Sequence, residues 1–460
     1  MFDLLTYSDL QKCGDDEEKR ITFITNAITD FKNSDNYKIA DKAMKYYKGL
    51  NPEIAAVEKI IYDMKGIAHQ DLVSPNNKIR NGYFPLIIDE AVSHLLTNGV
   101  SFTNTSKKDK LGVNFDDVTK GIYREALICG CSYGYFDGDK TIRLPYLNTV
   151  QIVDDYTGRL RACIFFTQID TNKPLVVTLY EKEGYSEYVQ EVGEPLKLKT
   201  QRTPYDYTAI SSEAEGVYQY QEEQESDLPI FPMYSPKKQS MIVGSLEILV
   251  ALDLMASQLV NNVSQSELVY WILKNYGGMD DIADANFIVN LMKTHIIHVN
   301  DDGEATPHQI QVPFEANNAA YVRLKSQLFE NMRGVNHEVM DAGNLTATAI
   351  NSAYSRLRNF SGLAESCVFE YIRGILRIAG IDENETFTVE YNETINASEA
   401  IQNVIQSAQY FDTETITEKL AMLNGLGDKI DVILENKKKE DLALFQAQQA
   451  LQGGTNALGM

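Results

Sequence analysis

The spacing of apolar and polar residues is most regular from Ser240 to about Ser361. From about Ser245 to about Gln265, Leu246, Ile248, Leu249, Val250, Leu252, Leu254, Met255, Leu259 and Val263 cover most of a helical circumference. Only Asp253, Ser257 and Asn261, at i, i+4 spacing, form a polar stripe. A helix this apolar needs protein on nearly every side, and a neighbouring subunit is the natural source. A second helix is predicted from about Phe314 to about Met340, entered through Pro313, whose missing N–H costs nothing at a helix start. At about 1.5 Å per residue it would be about 40 Å long. Between them, WILKNYGG, MDDIADANFIVNLMKT, HIIHV, NDDGEA and HQIQV read as strand, helix, strand, turn and strand, a compact insertion at the far end of a helical hairpin. Asp341, Ala342, Gly343 and Asn344 then break the pattern. Thr346 caps a third helix reaching Ala379, with a bend expected at Ser361 and Gly362 and a stop at Gly380.

Upstream, residues 1–70 read as helical and polar. Lys78 to Phe102 holds Asn81, a helix begun at Pro85 with an apolar face on Ile87, Ile88, Val92, Leu95 and Leu96, and a stop at Gly99. Gly121 to Phe136 is a helix running into a Gly-rich aromatic strand, followed by a DGDKT turn and a strand from Ile142 to Tyr146. Leu160 to Glu191 alternates at period two, as half-buried antiparallel strands do. Thr200 to Asp227 is polar, Tyr-rich and acidic, and reads as a loop. Downstream, Phe387 to Asn392 is a strand, and Ser398 to Phe445 shows three helical patterns separated at Asp412 and at Gly425 to Gly427, before a Gln-, Gly- and Ala-rich end. The class is α+β and mainly helical.

Composition narrows the functional classes. With 460 residues, 44% of them hydrophobic, the chain can bury several cores. Five cysteines, Cys13, Cys129, Cys131, Cys163 and Cys367, are odd in number and sparsely spaced, which fits a reducing compartment. No apolar segment follows Met1, and Glu247 and Asp253 interrupt the most apolar run, so neither a signal peptide nor a membrane span is expected. A net charge of -23 argues against gripping nucleic acid by its phosphates, and it suits either plain solubility or a surface that repels a polyanion.

Candidate chemistry is sparse. On a strand, His295 and His298 would face opposite sides, so ordinary surface or hydrogen-bonding roles outweigh a metal site. Cys129 and Cys131 would share a strand face, but no second Cys pair follows at zinc-ligand spacing, and buried thiols are expected. Gly277 and Gly278 lack the Lys and Ser/Thr of a phosphate loop. Asp280, Asp281 and Asp284 favour a helix dipole without any ion. No catalytic set, cofactor site or metal site is expected.

Several residues in this order resemble the phage portal proteins of long-tailed phages of Gram-positive bacteria. They are Leu252, Asp253 and Ser257; Ile272 to Gly278; and Gly343, Asn344, Thr346, Ala349 and Ile350. Weaker likeness lies in Tyr46, Tyr47, Gly49 and Asn51, and in the Asn81 unit. The family commonly has Ser-Gly after Gly-Asn-x, whereas Thr346 and Ala347 stand here. The resemblance implies an α/β wing (1–239, with a return strand in 341–396), stem helices at 240–268 and 313–340, a clip at 269–312, a tunnel loop and long helix within 341–396, and a helical crown at 397–460. It implies a ring of twelve subunits at one capsid vertex, through which double-stranded DNA is packaged and ejected. Its partners would be the terminase motor, a head-tail adaptor, and the major capsid and scaffolding proteins, with the host cytoplasm as its location before assembly. Asn336, His337, Asp341, Gly343, Asn344, Leu345 and Thr346 would then face DNA. Asp280, Asp281, Asp284, Asp301 and Asp302 would form the clip's docking surface, although a solvated edge explains them equally. Arg323, Lys325 and Arg333 would touch phosphates transiently or pair with a neighbour's Glu residues. Two rivals stay open. A tail or baseplate component predicts fibres or hexamers, and a cytosolic enzyme with an unrecognised site predicts a small closed oligomer.

Overall fold

The computed structural model describes residues 5–62, 66–71, 74–205, 228–266, 270–274, 304–308, 314–336, 347–381, 385–392, 397–424, 426, 429–430 and 432–439. The chain divides into two compact units, Met1–Val335 with Leu357–Asn392, and Asn336–Arg356 with Glu393–Met460.

The first unit opens with α1 (Tyr7–Cys13), α2 (Glu17–Asn33), α3 (Asp35–Tyr47) and α4 (Pro52–Ala55), then the ribbon β1 (Ile60–Tyr62) and β2 (Ala68–Gln70). There follow α5 (Tyr83–Leu96), β3 (Val100–Phe102), α6 (Thr105–Asp109) and α7 (Phe115–Cys129). Next come β4 (Cys131–Phe136), β5 (Thr141–Leu144), β6 (Thr149–Val153), β7 (Leu160–Thr167), β8 (Leu175–Glu181), β9 (Gly184–Gln190), β10 (Lys197–Thr203) and β11 (Ile230–Tyr234). Then come α8 (Leu246–Ser266), β12 (Tyr270–Lys274), β13 (Glu304–His308), α9 (Phe314–Met332), α10 (Ala347–Ile378), which belongs to this unit from Leu357 onward, and β14 (Phe387–Val389).

Strands β10-β9-β8-β7-β6 make an antiparallel sheet in that order. Their register pairs Val150 with Ile164, Ile164 with Leu179, and Val177 with Tyr188. Period two brings these side chains to one face, where Phe23, Ile24, Ala27 and Ile28 of α2 and Leu10 of α1 close a core over them. The helical segment before residue 70 is thus less polar in role than its composition suggests. β10 is an addition to the predicted sheet, lying where a loop is expected from Thr200. It is an edge strand, and Lys197, Lys199 and Arg202 pair with Glu194, Glu187 and Glu183, the charged dressing that keeps an exposed edge from pairing elsewhere. Residues 206–227, the remainder of that predicted loop, lie outside the described residues.

The second sheet is β11-β4-β5. Helix α7 ends at Gly130, whose φ of 95° and tight approach to the Gln239 backbone (2.9 Å to an added Cβ) require glycine. Cys129 therefore closes a helix and Cys131 opens a strand, so the two do not share a strand face, although both are buried thiols. Against this sheet packs the C-terminal half of α10, which buries Val368, Tyr371, Ile372, Ile375 and Leu376. A Cβ at Gly134 would overlap the Tyr371 hydroxyl, and one at Gly374 would overlap the Phe231 ring. Helix α10 runs from Ala347 to Ile378 and continues through Ser361 and Gly362. The Ser361 hydroxyl is held at 2.8 Å from His94 Nδ1 and does not compete for its own backbone.

Helices α8 and α9 pack side by side, and beyond them β12 pairs antiparallel with β13, Trp271 opposite Pro307. The first predicted strand of the insertion is present. Its partner lies at Glu304–His308, earlier than the predicted HQIQV strand, because Pro307 reads as a turn residue in sequence yet is tolerated on an edge strand. Helix α9 ends at Met332, eight residues before the predicted Met340. Arg333 adopts φ 58°, its N–H donates to Glu330 O at 3.3 Å, and Gly334 N–H donates to Phe329 O at 3.0 Å. This is a Schellman stop. Val335 is then buried, its N–H donating to Glu90 Oε2 of α5 at 3.0 Å.

In the second unit, α11 (Ala397–Ser407) and α12 (Thr413–Leu423) pack together, and residues 432–439 are helical. Asp412 caps α12 by accepting from Thr415 N at 2.8 Å, at the predicted break.

Candidate functional site

The polar stripe of α8 is the buried side of that helix. Asp253, Ser257 and Asn261 are 1%, 3% and 5% exposed. They face the extended segment Asn77–Asn81, and every second residue of that segment meets every fourth residue of α8. Asn77 N–H and Nδ2 donate to Asn261 Oδ1 at 2.8 and 3.0 Å. Ile79 N–H donates to Ser257 Oγ at 2.8 Å, and Asn81 N–H and Nδ2 donate to Asp253 Oδ1 at 2.8 and 2.9 Å. The match is geometric: four helical residues advance about 6.0 Å and two extended residues about 6.6 Å. At the upper rung Asn51 Nδ2 also donates to Asp253 Oδ2, at 2.5 Å. Asn51 reaches it from a left-handed conformation, φ 36°, which Asn tolerates better than most residues.

The motif Tyr46, Tyr47, Gly49 and Asn51 has a mechanical explanation. Helix α3 stops at Gly49 (φ 70°), with Gly49 N–H donating to Tyr46 O at 3.0 Å and Leu50 N–H to Lys45 O at 2.9 Å. The stop aims Asn51 at α8. Tyr46 donates to Glu53 Oε2 and Tyr47 to Asp89 Oδ1, each at 2.8 Å. Burial first and the Asp89 bond second push the Tyr47 hydroxyl up to about 12, so it stays a donor.

Two of the three cations on α9 and its C-terminal turn pack on aromatic rings. Lys325 is buried, its Nζ 5.2 Å from the Tyr83 ring centre, and the Arg333 guanidinium lies 5.8 Å from the Phe360 ring centre. Arg323 is exposed. Tyr321 joins the ladder to α9, donating to Asn81 Oδ1 at 3.2 Å and lying 2.9 Å from the Tyr83 hydroxyl.

With its polar side inward, α8 turns apolar residues outward: Leu259, Val260 and Val263 are 40%, 40% and 51% exposed, and Val322 of α9 is 57% exposed. By length and composition Leu246–Ser264 would suffice to cross a membrane, so Glu247 and Asp253 do not by themselves exclude a span. The ladder argues against one, because a lipid-facing helix would forfeit the partners of Asp253, Ser257 and Asn261. Among the described residues no three His, Cys, Asp or Glu side chains are grouped to hold a metal ion.

Of the residues predicted to face DNA, Asn336 is half-buried in the second unit. His337, Asp341, Gly343, Asn344, Leu345 and Thr346 lie outside the described residues, as do Asp280, Asp281, Asp284, Asp301, Asp302, His295, His298 and the Asn275–Gly278 motif. Missing from the sequence reading is the pairing of the α8 stripe with Asn77, Ile79 and Asn81. Its only sequence signal is a period-two Asn segment with the same axial repeat as an i, i+4 stripe.

Helix α8 is thus pinned on one side by a buried polar ladder and exposes apolar residues on another. The chain belongs to the phage portal protein family, SPP1 Gp6-like, which matches residues 29–442. It is 23% identical over 414 residues to the portal protein of Clostridium phage phiCD119, covering 81% of this chain and 89% of the relative. To the portal protein of Bacillus phage SPP1 it is 21% identical over 401 residues, covering 79% and 76%. A chain in the neck of a native gene transfer agent particle aligns with TM-score 0.40 at 10% identity, covering 82% of this chain and 98% of that one. The function is therefore that of a portal in a phage-like capsid, and the family is a structural one.

Proposed function

We propose that the chain forms a ring of twelve subunits at one capsid vertex, with α8 and α9 as the stem lining a DNA channel. The observation that supports it is the exposed apolar residues Leu259, Val260 and Val263 of α8 and Val322 of α9, while the polar side of α8 is engaged by Asn77, Ile79 and Asn81. Full burial of such a side chain is worth about 1.5–3 kcal/mol, so covering the roughly half that is still exposed would add about 1 kcal/mol each, and copies of the same hairpin about an axis would supply the cover. Residues 1–239 and the return strand then form the wing, 269–312 the clip, 341–396 the tunnel loop and long helix, and 397–460 the crown. Asp280, Asp281, Asp284, Asp301 and Asp302 would meet the terminase motor during filling and a head-tail adaptor afterwards. Asn336, His337, Asp341, Gly343, Asn344, Leu345 and Thr346 would face the DNA. Capsid and scaffolding proteins would hold the ring at the vertex after its synthesis in the host cytoplasm.

The direct experiment is negative-stain imaging of purified protein beside a Val260→Asp, Val263→Asp double variant. Open-centred rings from the parent and dispersed subunits with an unchanged circular-dichroism spectrum from the variant are expected. A compact parent monomer would end the proposal. Deleting Ala342 to Leu345 should leave rings intact and block DNA packaging, and normally filled heads from that deletion would remove the tunnel-loop assignment.

A further inference from the structure

A cleft of about 700 Å³ lies between the turn at Thr157–Leu160, strand β11 and the C-terminal half of α10. Its charge is opposite to that of the molecule. The chain carries 65 acidic and 42 basic residues, yet Arg159, Lys238, Arg373 and Arg377 line the cleft against a single acid, Glu370. All four cations are exposed. Arg373 and Arg377 stand one helical turn apart on the α10 wall of the cleft. Lys238 is held in a left-handed conformation, φ 53°, with its Nζ 4.9 Å from the Tyr234 ring centre. A non-glycine residue kept there costs about 1 kcal/mol or more, and such strain gathers where a side chain must be aimed. Among the described residues, neither Lys238 nor Arg373 makes an ion pair.

We infer that this cleft is a docking site for an acidic, extended polypeptide segment of a partner protein. Three observations select a polypeptide over nucleic acid. β11 is an edge strand, paired with β4 on one side and with no strand on the other among the described residues; Pro232 at its middle has no N–H, so an extended peptide would meet this edge through its carbonyls and the N–H groups flanking the proline. The floor is apolar, formed by Phe231 and Phe369, and suits alternate side chains of an extended chain. The cations are confined to a recess in a strongly acidic molecule, whereas a polyanion with a charge about every 1.7 Å needs a long basic track. Carboxylates at alternate positions would pair with Arg373 and Lys238 on the two walls. A single subunit carries the whole cleft, so the assignment stands whether or not the ring forms.

The test is fluorescence anisotropy of a labelled peptide of alternating glutamate and leucine with the full chain. Binding that weakens as sodium chloride rises from about 0.05 to about 0.5 M is expected. An Arg373→Glu, Lys238→Glu double variant should weaken it at least about tenfold, and Lys38→Glu on α3 should leave it unchanged. If the double variant melts at a lower temperature than the parent, Arg373→Gln and Lys238→Gln replace it, each with a partial loss expected. Absence of peptide binding, equal binding by the cleft variants, or displacement of the peptide by a single-stranded oligonucleotide of equal charge would overturn the inference. The last result would make it a nucleic-acid site.

Discussion

At Asp253 three donors converge, Asn51 Nδ2, Asn81 N–H and Asn81 Nδ2, on a carboxylate that is 1% exposed. Replacing it by alanine leaves the buried Asn51 amide and two half-buried Asn81 donors unpaired, so Asp253→Ala should cost about 2–3 kcal/mol, read from guanidinium unfolding midpoints. A loss below about 0.5 kcal/mol would mean that water replaces the ladder. Glu125 is a different case. Its carboxylate accepts from Ser132 Oγ at 2.9 Å and Tyr146 N–H at 3.1 Å, but burial, the larger influence, raises its affinity for a proton above the ordinary Glu value of 4.5. A raised acid contributes stability that is fully present below its unfolded value and lost as pH rises through its folded value. Glu125→Gln should therefore flatten the fall in stability as pH rises above the ordinary Glu value of 4.5 relative to the parent, and identical slopes for the two proteins would refute it.

For the elements, the decisive contact is α10 on the sheet β11-β4-β5. Gly134 and Gly374 let the Tyr371 hydroxyl and the Phe231 ring approach backbone, so the helix lies closer to the sheet than side chains would permit. Gly374→Ala should lower stability by about 1–3 kcal/mol, although alanine is the better helix former by about 1 kcal/mol, because overpacking here exceeds propensity. Thermal melts of Gly374→Ala beside Gly362→Ala make the comparison. Gly362 has only the Tyr391 hydroxyl within reach of an added Cβ, at 3.9 Å, and its variant should gain stability. Loss in both would point to the backbone instead of the contact. These close approaches are invisible in the sequence, where both glycines lie in patterns that read as ordinary strand and helix.

For the whole molecule, charge and apolar surface act in opposition. Twelve copies at -23 would carry -276, and mutual repulsion has to be exceeded by burial of the α8–α9 flank. Raising ionic strength from about 0.05 to about 0.5 M shortens the screening length several-fold, so ring formation should move to lower protein concentration as salt rises. Light scattering across that range checks it, and salt-induced dissociation would mean that ion pairs, not apolar contacts, join the subunits.

Much of this architecture was readable from the sequence because its physics is local. Period-two alternation marked β7 to β9, a nearly all-apolar circumference marked α8, and Asp412 marked the cap of α12. The α8 stripe was visible too, but as the face left polar, when it is the face most deeply buried. Periodicity reports that a helix has two sides and cannot report which side meets a partner rich in donors. That was decided by Asn77 to Asn81, about 180 residues away in the chain, whose extended rise matches the helix repeat. The end of α9 was misplaced for the same reason. Arg333 is no sequence signal for a stop, and the turn is held by tertiary contacts, Val335 N–H on Glu90 and the Arg333 guanidinium over Phe360. What the sequence determined alone is where the chain is helical or extended and how apolar each element is. Tertiary structure decided which polar groups are buried, since a buried donor is tolerated only where a distant acceptor has been brought to meet it.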